Sequence, residues 1–166
     1  SEGIVCFPGI MSRGGAEKKI RQYLIDNGYV DCVIQLPDNL FFGTTIATNI
    51  LILRRGKPDS TTLFIDASKE CVKVTNSNKL TQDNIEHVVQ FFTERKEIPH
   101  VVHLAAYEEI VKQDYNLSVS SYVETEDVRE KIDIVKLNEE IRNIVAREQT
   151  LRDEIDKIIA EIEVGV

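Results

Sequence analysis

Apolar positions along this chain fall into short runs at first and a long periodic run at the end. Four short runs, rich in Val, Ile and Leu and bounded by turn residues, read as buried strands: 4–7 (IVCF), 30–36 (VDCVIQL), 48–54 (TNILILR) and 61–67 (TTLFIDA). Residues 16–27 (AEKKIRQYLIDN) repeat at helical spacing, with Ile20, Tyr23 and Leu24 as the buried stripe and Lys18, Lys19 and Arg21 off it. Gly28 is placed to end that helix. Strand, helix and strand make a βαβ unit, so the first two strands are expected to be parallel with a right-handed crossover. The third and fourth strands are joined by the turn Arg55-Gly56-Lys57-Pro58-Asp59 and are expected to pair antiparallel. Residues 69–79 look polar and loop-like. Thr81 then caps a helix, with Leu80 and Ile85 as a hydrophobic staple; Ile85, Val88, Val89 and Phe92 form its buried stripe, and Pro99 ends it. A short helix is expected near 104–113, then an extended segment, 114–123, anchored by Tyr115, Leu117, Val119 and Tyr122.

From Ile134 the pattern changes. Apolar residues recur at spacings of three and four: Ile134, Leu137, Ile141, Ile144, then Leu151, Ile155, Ile158 and Ile162. With Ile134 at position a, the a and d positions through Ile162 are Ile or Leu except Glu148, a heptad over about four repeats. Val145 and Ile159 at e widen the stripe. Such a helix either lies on its own domain or joins a bundle with another chain. The width of the face, and the little sequence left to cover it, favour the bundle. Glu148 would need a cationic partner there. The chain therefore divides into a sheet-forming part (1–70), a helical and extended addition packed on it (71–123) and an amphipathic assembly helix (124–166).

Composition narrows the function. At 166 residues and 42% hydrophobic, the chain can build a real core. Its net charge of −8 makes it a poor stand-alone binder of nucleic acid, because phosphate affinity comes mostly from Lys and Arg. The three cysteines, Cys6, Cys32 and Cys71, form no CxxC and read as core residues of a reducing cytosol. No apolar run approaches the ~18 residues of a membrane span. We expect a soluble, cytoplasmic protein.

The candidate site is the loop 36–45 (LPDNLFFGTT), between the second and third strands. It carries Leu40, Phe41 and Phe42 in a row. Either Leu40 and one Phe cap the core, or an aromatic ring at the sheet end stacks on a flat ligand such as a nucleobase. His100 and His103 stand three apart, but no nearby Cys or Asp completes a metal set and Pro99 argues for a loop, so no metal is expected. Ser12-Arg13-Gly14-Gly15 reads as a flexible turn before a helix, from which Arg13 can reach a phosphate. No Ser–His–Asp arrangement stands out. The residues alone describe half of an α/β site, with a sheet and a ligand-facing loop but without reactive groups.

Residues 7–55, FPGIMSRGGAEKKIRQYLIDNGYVDCVIQLPDNLFFGTTIATNILILRR, closely resemble the modification (M) subunit of type I restriction–modification systems, which are adenine-specific DNA methyltransferases. The likeness continues through LFIDASKE (63–70), NKLTQDNIEHVV (78–89) and DYNLSVSSYV (114–123). It implies a class I (Rossmann-like) methyltransferase fold, with S-adenosylmethionine as methyl donor and the exocyclic amine of adenine as acceptor. In that family the cofactor sits on a glycine-rich loop after the first strand, and an Asn/Asp-Pro-Pro-aromatic motif holds the amine. This sequence has neither, since its four prolines are isolated and no Gly-x-Gly occurs. The resemblance therefore implies the C-terminal part of the subunit, inactive alone, in which 4–7, 30–36 and 48–54 are strands five, six and the antiparallel seven. It further implies that Phe42 or Phe41 stacks on the target adenine, and that the tail joins the helices of a specificity (S) subunit. A restriction (R) subunit and double-stranded DNA complete the expected assembly, and the tail also allows self-association. The competing expectation is a non-catalytic α/β interaction module that oligomerises through its last helix.

Overall fold

The strand β2 (Val30–Gln35) runs through the middle of a five-stranded sheet and is buried along nearly its whole length. A run of Val, Cys and Ile with both faces covered is what an interior strand of an α/β sheet requires. The computed structural model to which it belongs describes residues 1–75, 77–124 and 134–164, with side chains in the terminal helix described at 138–139 and 141–162. The chain separates into two units, Ser1–Glu126 and Asp127–Val166.

In the first unit, β1 (Glu2–Cys6) leads into a short helix α1 (Pro8–Ser12) and then α2 (Ala16–Asp26). After β2 come β3 (Asn49–Leu53), β4 (Thr62–Asp66), the small strands β5 (Val72–Val74) and β6 (Ser77–Lys79), helix α3 (Gln82–Glu94), β7 (Val102–Ala105) and α4 (Tyr107–Lys112). The main sheet has the order β1-β3-β2-β4-β7. One face carries Met11, Ile25, Val33, Phe64, Ile110 and Leu117, under α1, α2 and α4. The other carries Cys32, Ile34, Leu63 and Ile65, with Val88, Phe91 and Phe92 of α3 packed on it. Val30 and Val33 share a face although they are three apart, because the pairing of β2 with β3 shifts register between Val30 and Cys32.

The expected parallel direction of β1 and β2 holds, and the expected pairing of β3 with β4 is corrected. β1 and β2 point the same way, as a βαβ unit requires, but both pair antiparallel with β3, which lies between them. β3 and β4 run oppositely, yet they do not pair: β4 lies parallel to β2 on its far side. Both edges of β3 are already taken, so the turn after it must carry the chain across β2. That step is about 10 Å, easily spanned by residues 54–61.

Helix α2 ends where expected. Gly28 has φ +64°, its N–H donates to the Ile25 carbonyl and that of Tyr29 to the Leu24 carbonyl, a Schellman closure. The buried stripe differs, however. Ile20 and Tyr23 are 60% and 61% exposed, whereas Ile25 and Arg21 are buried. Arg21 turns inward because three backbone carbonyls meet its guanidinium: Tyr115 at 2.9 Å, Ile10 at 2.6 Å and Arg13 at 2.7 Å.

Further differences lie between 69 and 113. The segment read as loop contains the antiparallel β5–β6 hairpin. Thr81 caps α3 as expected, in a capping box with Asn84. That helix stops at Arg95, in the left-handed region at φ +49°, before Pro99 is reached. Ile85 and Val89 are exposed, and Val88, Phe91 and Phe92 face the core. The helix expected at 104–113 begins only at Tyr107; before it, β7 pairs with β4. The segment 114–123 holds a 3-10 turn at Val119–Ser121, and Leu117, Val119 and Tyr122 anchor it as expected. The Tyr122 ring stacks on Phe64 with centroids 3.9 Å apart.

The second unit contains α5 (Ile134–Val164). Ile141, Ile144, Val145, Leu151, Ile155, Ile158, Ile159 and Ile162 are all exposed on it. Among the described residues, no helix is long and apolar enough to cross a membrane.

Candidate functional site at the sheet end

The loop between β2 and β3 is held at its base and open at its tip. Leu36 and Pro37 are buried, and the Leu36 N–H donates to the Thr48 carbonyl at 2.8 Å, closing the neck. Leu40 packs on the α3-side core. Phe41 remains 44% exposed and Phe42 is fully exposed. Leu40 therefore caps the core, while the two rings that follow do not. Asn39 sits at φ +49° and Gly43 at φ +80°, so the loop makes two left-handed corners. The Thr44 hydroxyl accepts from the Ile46 N–H, stiffening the exit.

Two cavities adjoin the loop, and Phe41 lines both. A shallow groove of about 540 Å³ runs past Asn39, Leu40, Phe42 and Ser77. A smaller cleft of about 220 Å³ is walled by Val5, Cys6, Phe7, Phe41, Thr44 and Thr48. Phe7 enters this cleft because β1 and β2 run in the same direction, so the end of β1 and the loop after β2 share one edge of the sheet. The cleft is apolar but for two threonines. The Thr48 hydroxyl is buried and has no hydrogen-bond partner among the described residues. Two rings in a largely apolar cleft suit a flat, apolar-faced ligand. Burial also pushes the Cys6 thiol up, which keeps it protonated and unreactive.

Arg13 caps the C-terminus of α1 and is exposed. Its side chain lies over Gly9, where a Cβ would stand 2.9 Å from Nε. It is not among the residues that wall the cleft. The histidines serve loops. His87 Nδ1 lies 3.3 Å from Glu70, and His100 Nδ1 lies 2.9 Å from the Glu124 carbonyl. His103, on β7, stands between Glu97 at 3.2 Å and Glu109 at 2.8 Å. No three His, Cys, Asp or Glu among the described residues are placed to hold a metal. At the opposite end of β2, a polar groove of about 500 Å³ includes Lys57 and Asp59. Burial lowers the Lys57 pKa, and its ammonium is committed to the carbonyls of Val30 at 2.5 Å and Thr61 at 2.6 Å. That lysine secures the turn between β3 and β4.

Phe7 and Thr48 were not foreseen as site residues. Their signal was available: each ends or begins a strand at the edge carrying the aromatic loop. Ile134 and Leu137 of the expected helix interface have side chains outside the described residues, whereas Ile141, Ile144, Leu151, Ile155, Ile158 and Ile162 form an open apolar face.

The profile of the N-6 DNA methylase family matches residues 1–131. The type I restriction enzyme MpnII methylase subunit of Mycoplasma pneumoniae is 43% identical over 97% of this chain and 30% of its own length. The MjaVII methylase subunit of Methanocaldococcus jannaschii is 36% identical over 92% and 28%. The crystal structure of a type I restriction–modification methyltransferase subunit from Streptococcus thermophilus superposes with a TM-score of 0.72 at 43% identity, covering 74% of this chain and 26% of that one. The chain thus spans under a third of the length of the curated relatives it matches.

Proposed function

This chain belongs to the N-6 DNA methylase family, and we propose on that premise that it is the C-terminal part of the M subunit of a type I restriction–modification system. The full subunit transfers a methyl group from S-adenosylmethionine to the exocyclic amine of adenine in DNA, assembled with a specificity subunit. Its fold is the far edge of a Rossmann-like methyltransferase sheet. The exposed Ile4 and Val5, on opposite faces of β1, fit a sheet that continues beyond that strand.

The observation that carries the reading is the apolar cleft that Phe7 and Phe41 wall at the sheet end. An adenine drawn out of the duplex presents two flat faces and a polar edge. Base–aromatic stacking contributes about 1–3 kcal/mol per base, which offsets a large part of the cost of unstacking it. Phe41 is the ring already beside the cleft, and Phe42 is the ring free to close over it. Arg13, near the same edge, is available to a DNA phosphate.

The donor is a separate matter. After β1 the chain passes straight into α1 with Pro8 in its first turn, and the Gly14–Gly15 pair follows a helix, not a strand. The residues present do not form a glycine-rich strand–loop–helix cradle, so no S-adenosylmethionine site is assigned to them. The methyl donor and the groups that hold the reacting amine are assigned to the rest of the subunit.

Alanine replacement of Phe41 and of Phe42 in the full M–S complex tests the proposal. At least one variant is expected to lower methylation kcat/KM tenfold or more while assembly and melting temperature stay unchanged. Equal activity in both variants would leave the chain as an interaction module, the reading that the open apolar face of α5 favours.

A further inference from the structure

The first turn of the aromatic loop, at Asp38–Asn39, is held by a residue distant in sequence. Asn78, on β6, donates its side-chain N–H₂ to both the carbonyl and the carboxylate of Asp38, each at 2.8 Å. Its backbone N–H donates to the Asn39 carbonyl at 2.9 Å. Both side-chain contacts are acceptors, so the amide orientation follows from chemistry. Asn39 is held in the left-handed region, a conformation that relaxes without support. Phe41 and Phe42 follow two and three residues later, and their exposed rings gain little placement from packing. Their position is therefore set by the backbone at Asp38–Asn39. Ser77, beside Asn78, lines the same groove as both rings.

We propose that Asn78 is a positioning residue for the target base. The β5–β6 hairpin acts as a brace that fixes the loop so that the Phe ring meets the extruded adenine. This rests on the base-stacking reading above. It adds a residue 40 positions from Asp38, on an element outside the main sheet.

The test uses the full-length subunit assembled with its specificity subunit and a DNA duplex carrying 2-aminopurine at the target adenine. Asn78→Asp replaces the donating amide by a carboxylate facing that of Asp38. A charge-assisted hydrogen bond is lost and a repulsion gained, so kcat/KM should fall about tenfold. The 2-aminopurine emission of the complex should rise as stacking weakens. Combining Asn78→Asp with Asp38→Asn removes the repulsion and restores the side-chain bond with donor and acceptor exchanged, while the carbonyl of residue 38 stays without its donor. Activity and emission should then return to within about threefold of the parent. A purely structural role predicts a lowered melting temperature with no change in emission, and that result overturns the proposal. So does an Asn78→Asp enzyme with parental kinetics, or a double variant no better than the single one. If the Phe41 and Phe42 variants reduce methylation while Asn78→Asp does not, the brace alone fails. If neither Phe variant matters, the base-stacking reading falls and the brace with it.

Discussion

Arg21 shows how a single side chain can escape a reading of the sequence. On a helical wheel it lies midway between Lys18 and Leu24, about 60° from each, and only its charge placed it with the solvent face. It is buried because three carbonyls from the α1 region and from Tyr115, far away in sequence, converge on a fork that can serve them all. No periodicity encodes that. Arg21→Ala should lower stability by about 3 kcal/mol, because the carbonyls lose their donors in a water-poor site. Arg21→Lys should recover roughly half, keeping charge but not the fork; urea midpoints decide. Tyr107 offers a pH test. Hydrogen bonds with Tyr115 and Asp26 push its phenol up from 10.0 to about 12. Below pH 10 the phenol is neutral in both folded and unfolded chains, so the full contribution is present. Between 10 and 12 only the unfolded chain ionises, so stability falls as pH rises through that window. Tyr107→Phe should flatten this part of the decline in urea midpoints.

At the scale of elements, existence was more legible than pairing. The strands β1 to β4 announced themselves as apolar runs, and Thr81 and Gly28 marked helix ends correctly. Neighbours could not be read, because a run such as NILIL pairs equally well on either edge. β7 was hidden because VHLA is short and carries His103, whose charge partners, Glu97 and Glu109, flank the strand. The β5–β6 hairpin was hidden because its second strand is Ser-Asn-Lys, and polar residues mark no buried face. The stripe of α3 was half right: Val88 and Phe92 face the core, Phe91 replaces the exposed Ile85 and Val89, and mutation separates the two versions. Phe91→Ala should cost about 2 kcal/mol, less than a fully buried Phe. Val89→Ala, at an exposed position, should stay within about 0.5 kcal/mol. Thr81→Ala should cost about 1 kcal/mol through the lost cap. Equal losses for Phe91 and Val89 in thermal melts would restore the original stripe.

For the whole molecule, the aromatic loop was found from sequence, but half of its cleft was not. Phe7 and Thr48 join Phe41 only because β3 enters between β1 and β2 and brings three strand ends to one edge. The same logic separates the chain's two surfaces by purpose. β1 exposes Ile4 and Val5 on its two faces. The face of α5 exposes isoleucine and leucine at heptad spacing, as a helix bundle would require. At position a, Glu148 lies 2.6 Å from Arg152, an exposed pair that gives its charge a local partner. Placing Asp at both Ile155 and Ile158 adds two charges to the middle of the stripe. Each would lose several kcal/mol on entering an apolar bundle. The double variant should therefore no longer co-purify with a specificity subunit. The residues Ser1–Glu126 should melt as before, because both isoleucines are more than half exposed and contribute little to that core. Retained assembly would mean that the partner grips another surface, and the helix would then have to be reassigned.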